Sequence, residues 1–233
     1  MNAIVTGASR GIGRAVARML AAEGYHLLLC ARNMAGLEAL AAELSEAHPN
    51  NELYLVEADV SKASECREVA QRAQQAWQRV DVLVNNVGMY SVGHFTEEPE
   101  GRLEEVLNTN LLSAYHLSRA VAPGMKEAQS GRIFNICSVL SREIRPEAAA
   151  YTVSKQALYA LSKVMAAELR EANVHVTAIL PGSVNTSSWD GLDAPVHDFV
   201  QPNDIANSIQ TVLNSSSGAL FEEMTIRPMR KEF

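Results

Sequence analysis

The sequence contains few cysteines, no excess of basic residues and no long hydrophobic run. Its three cysteines, Cys30, Cys66 and Cys137, are widely spaced and include no CxxC pair. This pattern indicates neither a zinc site nor a disulfide framework, so we expect no metal site. Cys30 and Cys137 lie within hydrophobic runs, which predicts that both are buried thiols.

Basic side chains are outnumbered by acidic ones. The chain has 27 acidic and 20 basic side chains, which gives a formal net charge of −7. Because a nucleic-acid-binding protein needs a basic face, we expect no nucleic-acid partner. Small anions are not excluded as ligands, since a few well-placed arginines can bind phosphate on an acidic protein.

No segment has the length of a membrane span, and none has the features of a targeting signal. The first predicted strand begins almost at Met1, without the basic segment and hydrophobic core of a signal peptide. We therefore expect a cytoplasmic protein with no membrane contact. The sequence also lacks repeats, low-complexity tracts and linkers. Its 233 residues, 47% of them hydrophobic and 20% charged, suit one α/β domain.

Short hydrophobic runs alternate with longer helical patterns along the chain. Strands are predicted at residues 2–6, 26–30, 53–57, 82–85, 132–137 and 174–180, with a less regular one at 219–226. Helices are predicted at residues 14–23, 34–47, 64–78, 101–121, 148–171 and 203–213. Most runs are too hydrophobic for a strand with one solvated face, which indicates a parallel sheet covered on both sides. The alternation predicts an α/β fold with a doubly wound parallel sheet, in a single domain spanning residues 1–233.

One segment, residues 183–200, breaks this alternation. It shows no clear periodicity and contains Trp189, Gly191 and Pro195. It follows a predicted strand, and ligands in such folds bind outside the carboxyl ends of the strands. We interpret residues 185–200 as a substrate loop, with a plain surface connection as the alternative.

A glycine-rich segment follows the first predicted strand and opens the first predicted helix. It reads Thr6-Gly7-Ala8-Ser9-Arg10-Gly11-Ile12-Gly13. Glycines let the backbone turn tightly and approach a ligand closely, and the free amides at a helix start bind anions. The spacing is GxxxGxG rather than the GxGxxG of the usual dinucleotide motif. Its position between strand and helix nevertheless predicts a phosphate-binding turn.

The end of the second predicted strand indicates which dinucleotide binds. NAD sites usually place an acidic residue about 20 residues beyond the glycine turn, on the ribose hydroxyl. Here the strand ends in Cys30-Ala31-Arg32-Asn33, without a carboxylate. Arg32, flanked by Arg10, could instead pair with a 2′-phosphate, because each guanidinium offers a planar fork of donors. NADP(H) is therefore the predicted cofactor; the alternative is that either arginine is only a solvated surface charge.

Tyr151 and Lys155 lie four residues apart on a predicted helix and therefore share a face. A tyrosine with the ordinary pKa of about 10 is a poor base at neutral pH, but a nearby lysine cation favours the phenolate and lowers that pKa. Tyr151 could then exchange a proton with a carbonyl or alcohol oxygen. A YxxxK pair alone is common by chance, so its value here depends on its neighbours.

Two further polar residues accompany this pair. Ser138 ends a hydrophobic strand, and its hydroxyl could hydrogen-bond a substrate oxygen as charge develops there. A serine in that place is otherwise often a cap or turn residue. Asn110 lies inside a helical pattern, where asparagine is unfavourable, which indicates a role beyond helix formation. A buried asparagine with satisfied hydrogen bonds is the alternative.

As a set, these motifs resemble the short-chain dehydrogenase/reductase family. The resemblance extends nearly from end to end, in the right order and spacing. It implies a Rossmann-like fold and, in members with this short layout, a homodimer or homotetramer. The matching segments are TGASRGIG at 6–13, Asn85-Asn86-Val87-Gly88, Asn110, Ser138, Tyr151-x-x-x-Lys155 and Pro181-Gly182-Ser183-Val184-Asn185-Thr186.

The resemblance also implies residue roles. Tyr151 would be the acid/base, and Lys155 would lower its pKa and hold the nicotinamide ribose. Ser138 would polarise the substrate oxygen, while Asn110 would support a water that relays protons to Lys155. The expected cofactor contacts are Gly7, Ser9, Arg10, Gly11, Ile12, Gly13, Arg32, Asn33, Asp59, Val60, Asn86, Gly88, Tyr151, Lys155, Pro181, Gly182, Val184 and Thr186.

The sequence departs from the family pattern in two places. Val87 stands where alanine is usual, and residues 139–150 do not closely match the corresponding segment of acyl-carrier-protein reductases. Arg142 and Arg145 lie in that segment. They either contact an acidic substrate or carrier, or are solvated charges.

The leading prediction is an NADP(H)-dependent reductase of a small-molecule ketone, aldehyde or 3-oxoacyl group. An alcohol dehydrogenase that oxidises a polyol or a steroid-like substrate would use the same residues. A dinucleotide-binding regulator without chemistry would be expected to lack the tyrosine or the lysine. A sugar-nucleotide epimerase would usually carry a longer carboxyl-terminal domain.

Overall fold

Parallel strands form the centre of the computed structural model, which describes residues 1–189, 191, 195–216 and 218–230. In that part of the chain the strands are β1 (Asn2–Thr6), β2 (His26–Ala31), β3 (Leu53–Glu57), β4 (Val82–Asn85), β5 (Gly131–Ile136), β6 (Val174–Pro181) and β7 (Glu223–Ile226). They pair in parallel in one sheet with the order β3-β2-β1-β4-β5-β6-β7.

Helices cover both faces of this sheet. They are α1 (Gly11–Ala22), α2 (Met34–Ala47), α3 (Ala63–Ala76), α4 (Arg102–Leu107), α5 (Ser113–Glu127), α6 (Ala149–Leu169) and α7 (Pro202–Leu213). Leu27, Leu28 and Leu29 of β2 are all 0% exposed. Since successive strand residues point to opposite faces, Leu27 and Leu29 pack in a core with α1, α2 and α7, while Leu28 packs with α3 and α5. The predicted doubly wound α/β fold is therefore confirmed.

The predicted helix at residues 101–121 is interrupted in the structure. α4 ends at Leu107, a π-helical turn spans Asn108–Leu112, and α5 then continues beyond Pro123 to Glu127. Met125, which is fully buried, packs this last part of α5 against the sheet, so tertiary packing offsets the missing amide of the proline. The last strand is shorter than predicted, because only Glu223–Ile226 pairs with β6.

The strand order reverses at β1, which lies between β2 and β4. Loops that follow β1 and β4 then leave in opposite directions, which opens a crevice at the carboxyl ends of the strands. The glycine turn after β1 and the residues after β4 both lie at this crevice. The fold thereby places the predicted motifs at one edge of the sheet.

Residues 183–200 follow β6 at the same edge. The two ends of this segment are held together, because the Asn185 amide donates to the Val200 carbonyl at 2.8 Å and the Val200 amide donates to the Ser183 carbonyl at 3.0 Å. Between them lie 3₁₀ turns at Ser187–Trp189 and Val196–Asp198. Of the predicted substrate loop at 185–200, residues 190 and 192–194 lie outside the described residues.

The three cysteines are buried free thiols, as predicted for Cys30 and Cys137. Within the described ranges, no helix combines the length and the hydrophobicity needed to cross a bilayer. The same residues contain no group of three or more His, Cys, Asp or Glu side chains arranged to hold a metal ion.

Candidate functional site

The glycine turn has a backbone conformation that favours glycine at three positions. Gly7 and Gly11 have φ values of +64° and +54°, in the left-handed region. A Cβ atom at Gly13 would lie 2.3 Å from the Gly7 carbonyl oxygen, so this contact requires glycine. α1 begins at Gly11, without a side-chain cap and without an acidic residue in its first turn. Its first amides therefore have no intrahelical partner and are suited to an anion.

Asn86 holds the glycine turn against the end of β4. Its side-chain Nδ2 donates to the Thr6 carbonyl at 2.8 Å and to the Gly7 carbonyl at 3.3 Å. Val87, the departure from the family pattern, packs a methyl group 3.3 Å from the position of a Cβ at Gly7. The loops after β1 and β4 thus form one continuous surface.

The predicted phosphate-binding arginines lie on the surface, Arg10 as the N-cap residue of α1 and Arg32 two residues before α2. Arg10 and Arg32 are both exposed, and neither forms an ion pair with an acidic residue of the described chain. Asn33 caps α2 by accepting a hydrogen bond from the Gly36 amide at 3.0 Å. Ser9 packs against Gly36, with its Cβ 2.9 Å from where a Cβ at that glycine would lie. The structure therefore brings the glycine turn next to the start of α2.

Asp59 and Val60 follow β3 on the same side. Burial raises the pKa of Asp59, but hydrogen bonds from Ser61 and the positive charges of Lys62 and Arg32 together lower it below its ordinary value. Val60 is only 3% exposed and its side chain packs in the hydrophobic core. Only its backbone is available to a ligand.

Ile12 also packs its side chain against the core.

On the opposite wall of the crevice, Thr186 lies beside the glycine turn, with its Cγ2 3.2 Å from the position of a Cβ at Gly11. Val184 is buried and forms a bridge with Val200. Pro181 ends β6, and the amide of Gly182 donates to the Ile226 carbonyl at 2.8 Å, which ties this wall to β7.

Ser138, Tyr151 and Lys155 come together where β5 meets α6. Ser138 follows β5, and the Ser141 hydroxyl next to it donates to the Lys155 carbonyl at 2.9 Å. The Ser138 side chain lies close enough to the Tyr151 phenol to lower its pKa. The Lys155 ammonium lies 5.7 Å from the centre of the Tyr151 ring and donates to the Ile136 carbonyl at 2.8 Å.

Burial determines the protonation states of Tyr151 and Lys155. It raises the pKa of Tyr151 to about 12, although the nearby Ser138 side chain acts in the opposite direction. Burial also lowers the pKa of Lys155 to about 8. That Lys155 lowers the Tyr151 pKa stays a prediction. The cost of placing a phenolate in a desolvated site exceeds the favourable interactions, and the Lys155 ammonium is directed to a backbone carbonyl.

Asn110 reaches the same place from the π-helical turn. Its Oδ1 accepts from the Met89 amide at 2.7 Å, and its Nδ2 donates to the Met89 carbonyl at 3.0 Å and to the Ser154 hydroxyl at 2.9 Å. Both polar atoms of the side chain therefore have hydrogen-bond partners, and the role of Asn110 in supporting a water stays a prediction. A Cβ at Gly88 would lie 3.3 Å from the Lys155 nitrogen, so Gly88 joins the β4 loop to the Tyr151–Lys155 pair.

Three residues near the site were assigned no specific role or contact from the sequence. The ring of Tyr90 packs edge-on against Tyr151, with centroids 4.8 Å apart. Trp189 packs near Tyr90, and Glu98 accepts a hydrogen bond from the Ala150 amide. The only local signal for Tyr90 was its place two residues after Gly88, beyond a strand end.

Arg142 does not face an open site. Its guanidinium lies 2.5 Å from the Glu223 carboxylate and 3.0 Å from the Tyr159 hydroxyl. This network joins the turn after Ser138 to β7. A role for Arg142 in binding an acidic substrate is therefore not supported by its position.

A doubly wound parallel sheet with a glycine turn at its switch point defines a Rossmann-like, dinucleotide-binding class of protein. Within that class, the family model for short chain dehydrogenases matches residues 1–196. The chain belongs to the short-chain dehydrogenase family and is an oxidoreductase of that family.

Similar proteins extend over the full chain. An uncharacterized oxidoreductase of Staphylococcus saprophyticus is 30% identical over 97% of this chain and 97% of its own length. An alcohol dehydrogenase from the archaeon Thermococcus sibiricus, solved with 5-hydroxy-NADP, is 30% identical with a TM-score of 0.92, covering 100% of this chain and 99% of that one. L-sorbose reductase from Gluconobacter frateurii, solved with NADPH and L-sorbose, is 26% identical with a TM-score of 0.89, covering 97% and 94%.

Proposed function

We propose that the protein is an NADP(H)-dependent oxidoreductase that transfers a hydride between nicotinamide and a carbonyl compound or secondary alcohol. One observation carries this proposal. The Tyr151 phenol lies near Ser138 and shares a helix face with Lys155, whose ammonium lies beside Gly88 at the same crevice as the glycine turn. Such an arrangement joins a proton donor to a dinucleotide-binding surface.

The residues of the crevice fit the phosphates of NADP(H). The uncapped amides at the start of α1 suit the pyrophosphate, and the exposed guanidiniums of Arg10 and Arg32 suit a 2′-phosphate beside Asn33. Asp59 and the Val60 backbone would flank the adenine. When bound, the cofactor would supply or accept the hydride.

The remaining contacts would orient the nicotinamide end. Asn86 and Gly88 would form the floor of the site, and Lys155 would hold the ribose. Pro181, Gly182, Val184 and Thr186 would form the opposite wall, since Thr186 already lies against the glycine turn. The similar structures solved with NADP or NADPH support this choice of cofactor.

The chain's own residues perform the proton transfer in this proposal. With its pKa raised to about 12, Tyr151 stays protonated at neutral pH and acts as an acid toward a carbonyl oxygen. The Ser138 hydroxyl would hold that oxygen in place and stabilise the charge that develops on it. Oxidation of an alcohol would require the phenolate, which burial disfavours.

The test is a steady-state assay of the purified protein with NADPH and a panel of ketones, aldehydes and 3-oxoacyl thioesters, followed by loss of NADPH fluorescence. Tyr151→Phe should lower kcat by about 10²- to 10⁴-fold, the usual contribution of a general acid, while NADPH still binds. Tyr54→Phe is the control, because Tyr54 lies on β3, packed against Trp77. Undiminished turnover by Tyr151→Phe would remove Tyr151 from its proposed role.

A further inference from the structure

Tyr90 forms part of the surface around the Tyr151 ring. The two ring centroids are 4.8 Å apart and the ring planes are inclined by 79°, an edge-to-face arrangement. Tyr90 is 40% exposed, so one part of its ring packs on Tyr151 and another part stays accessible to a ligand. A substrate that brings its reacting oxygen to the Tyr151 hydroxyl would pass this ring.

The position of Tyr90 is set by hydrogen bonds on both sides along the chain. Asn110 binds both the amide and the carbonyl of Met89, the preceding residue. Gly93, three residues after Tyr90, forms two backbone hydrogen bonds with the segment that leads into α6. Its amide donates to the Glu147 carbonyl at 2.7 Å, and its carbonyl accepts from the Ala149 amide at 3.1 Å. Tyr90 is therefore held against the start of α6, and its ring is a preformed feature of the site.

A second aromatic residue continues this surface from the opposite loop. The Trp189 ring lies 6.4 Å from the Tyr90 ring with an inclination of 40°. Phe199 supports the indole from the other end of the same loop, with centroids 5.1 Å apart. The indole N–H donates to the Val184 carbonyl at 2.8 Å, so its polar group is occupied and its ring presents mainly apolar surface.

We propose that Tyr90 and Trp189 form an aromatic wall that selects carbonyl substrates with a flat hydrophobic substituent, such as an aryl or fused-ring ketone, over polyhydroxylated ones. This inference rests on the proposed function and names the substrate class of the same site. Flat rings gain contact area and favourable ring-edge geometry against such a wall. The hydroxyls of a polyol would lose water against the ring faces and gain few hydrogen-bond partners there.

The first test compares three ketones with NADPH: acetophenone, cyclohexyl methyl ketone, which has the same carbon skeleton without the aromatic ring, and fructose. We expect kcat/KM for acetophenone to exceed that for fructose by at least about 10-fold, with the cyclohexyl compound between them. Equal or higher kcat/KM for fructose would overturn the aromatic wall and leave the proposed function standing. Failure to reduce any carbonyl in the wider panel would instead count against the proposed function.

Variants of Tyr90 and Trp189 then test whether these two rings cause the preference for acetophenone over fructose. Tyr90→Ala and Trp189→Ala should each raise KM for acetophenone about 10-fold and change fructose reduction far less, whereas Tyr90→Phe should keep the preference because it keeps the ring. Tyr54→Ala is the matched control: Tyr54 is also an exposed tyrosine, 38% exposed, packed edge-on against a tryptophan at 5.5 Å, but it lies on β3. Equal losses for both ketones in Tyr90→Ala would overturn the selection.

A binding measurement gives a result that does not depend on turnover. The chain has two tryptophans, Trp77 and Trp189, so Trp77→Phe leaves Trp189 as the sole indole fluorophore. Acetophenone should quench its fluorescence in a saturable manner, more weakly in the double variant with Tyr90→Ala, and fructose should not. Absence of saturable quenching by acetophenone would contradict the proposed contact.

Discussion

The carboxylate of Glu98 accepts a hydrogen bond from the backbone amide of Ala150 at 3.1 Å, across 52 residues of sequence. Ala150 lies in the first turn of α6, next to Tyr151, and the N-cap residue of α6, Ala148, provides no side-chain cap. Glu98 therefore supplies the capping acceptor from another loop. Its negative charge at the start of α6 is also favourable for the helix dipole.

Replacing Glu98 by alanine should destabilise the protein. The α6 amide would lose its acceptor, and loss of an N-terminal cap usually costs about 0.5–2 kcal/mol. Urea unfolding followed by circular dichroism would measure this change in the free energy of unfolding. Glu98→Gln keeps an oxygen acceptor and should lose less. Glu97→Ala removes the exposed neighbouring carboxylate and serves as the control; an equal loss in both alanine variants would contradict the capping role.

Cofactor preference should depend on the exposed guanidiniums of Arg32, just before α2, and Arg10, in the glycine turn. Arg32→Ala should weaken NADPH binding roughly 10- to 100-fold, the value of a charge-assisted hydrogen bond, and leave NADH binding little changed. Arg10→Ala should act in the same direction. Calorimetric titrations at one fixed, moderate salt concentration would give both dissociation constants.

Arg119→Ala is the control for this experiment, since Arg119 is an exposed arginine on α5. Equal weakening of NADPH and NADH by Arg32→Ala would mean that the guanidinium does not recognise the 2′-phosphate. Equal affinities of the unaltered protein for the two dinucleotides would contradict the proposed NADP(H) preference.

Lys155 should make stability depend on pH in the alkaline range. Burial lowers its pKa from the ordinary 10.5 to about 8 in the folded protein. Between these values the unfolded chain binds more protons than the folded one, so the free energy of unfolding gains a contribution that rises with pH. Its full size corresponds to on the order of 3 kcal/mol.

The measurement compares the unaltered protein with Lys155→Met between pH 7 and pH 10.5. At pH 7 the variant should be the more stable, because the buried ammonium is gone, and the difference should shrink as the pH rises through 8. Lys163→Met is the control, since the side chain of Lys163 on the same helix is 47% exposed. A stability difference that is independent of pH would show that Lys155 has an ordinary pKa.

Much of the architecture was predictable because it depends on local patterns. Hydrophobic runs of strand length and the helical periodicity between them gave the α/β alternation, since both follow from the repeat distances of the two backbone conformations. The glycine turn and the Tyr151–Lys155 pair were found by spacing within a few residues. Where packing competes with local preference the prediction was wrong, as at the π-helical turn around Asn110 and the extension of α5 past Pro123.

Residue order therefore determined which chemical groups are present and in which elements they lie, because periodicity, glycine conformation and helix spacing are local properties. Packing decided how those groups behave. The raised pKa of Tyr151, the capping of α6 by Glu98 and the contact of Tyr90 with Tyr151 depend on segments distant in sequence. Desolvation and ring contacts arise only from the atoms that surround a side chain in space, and no short stretch of sequence specifies those neighbours.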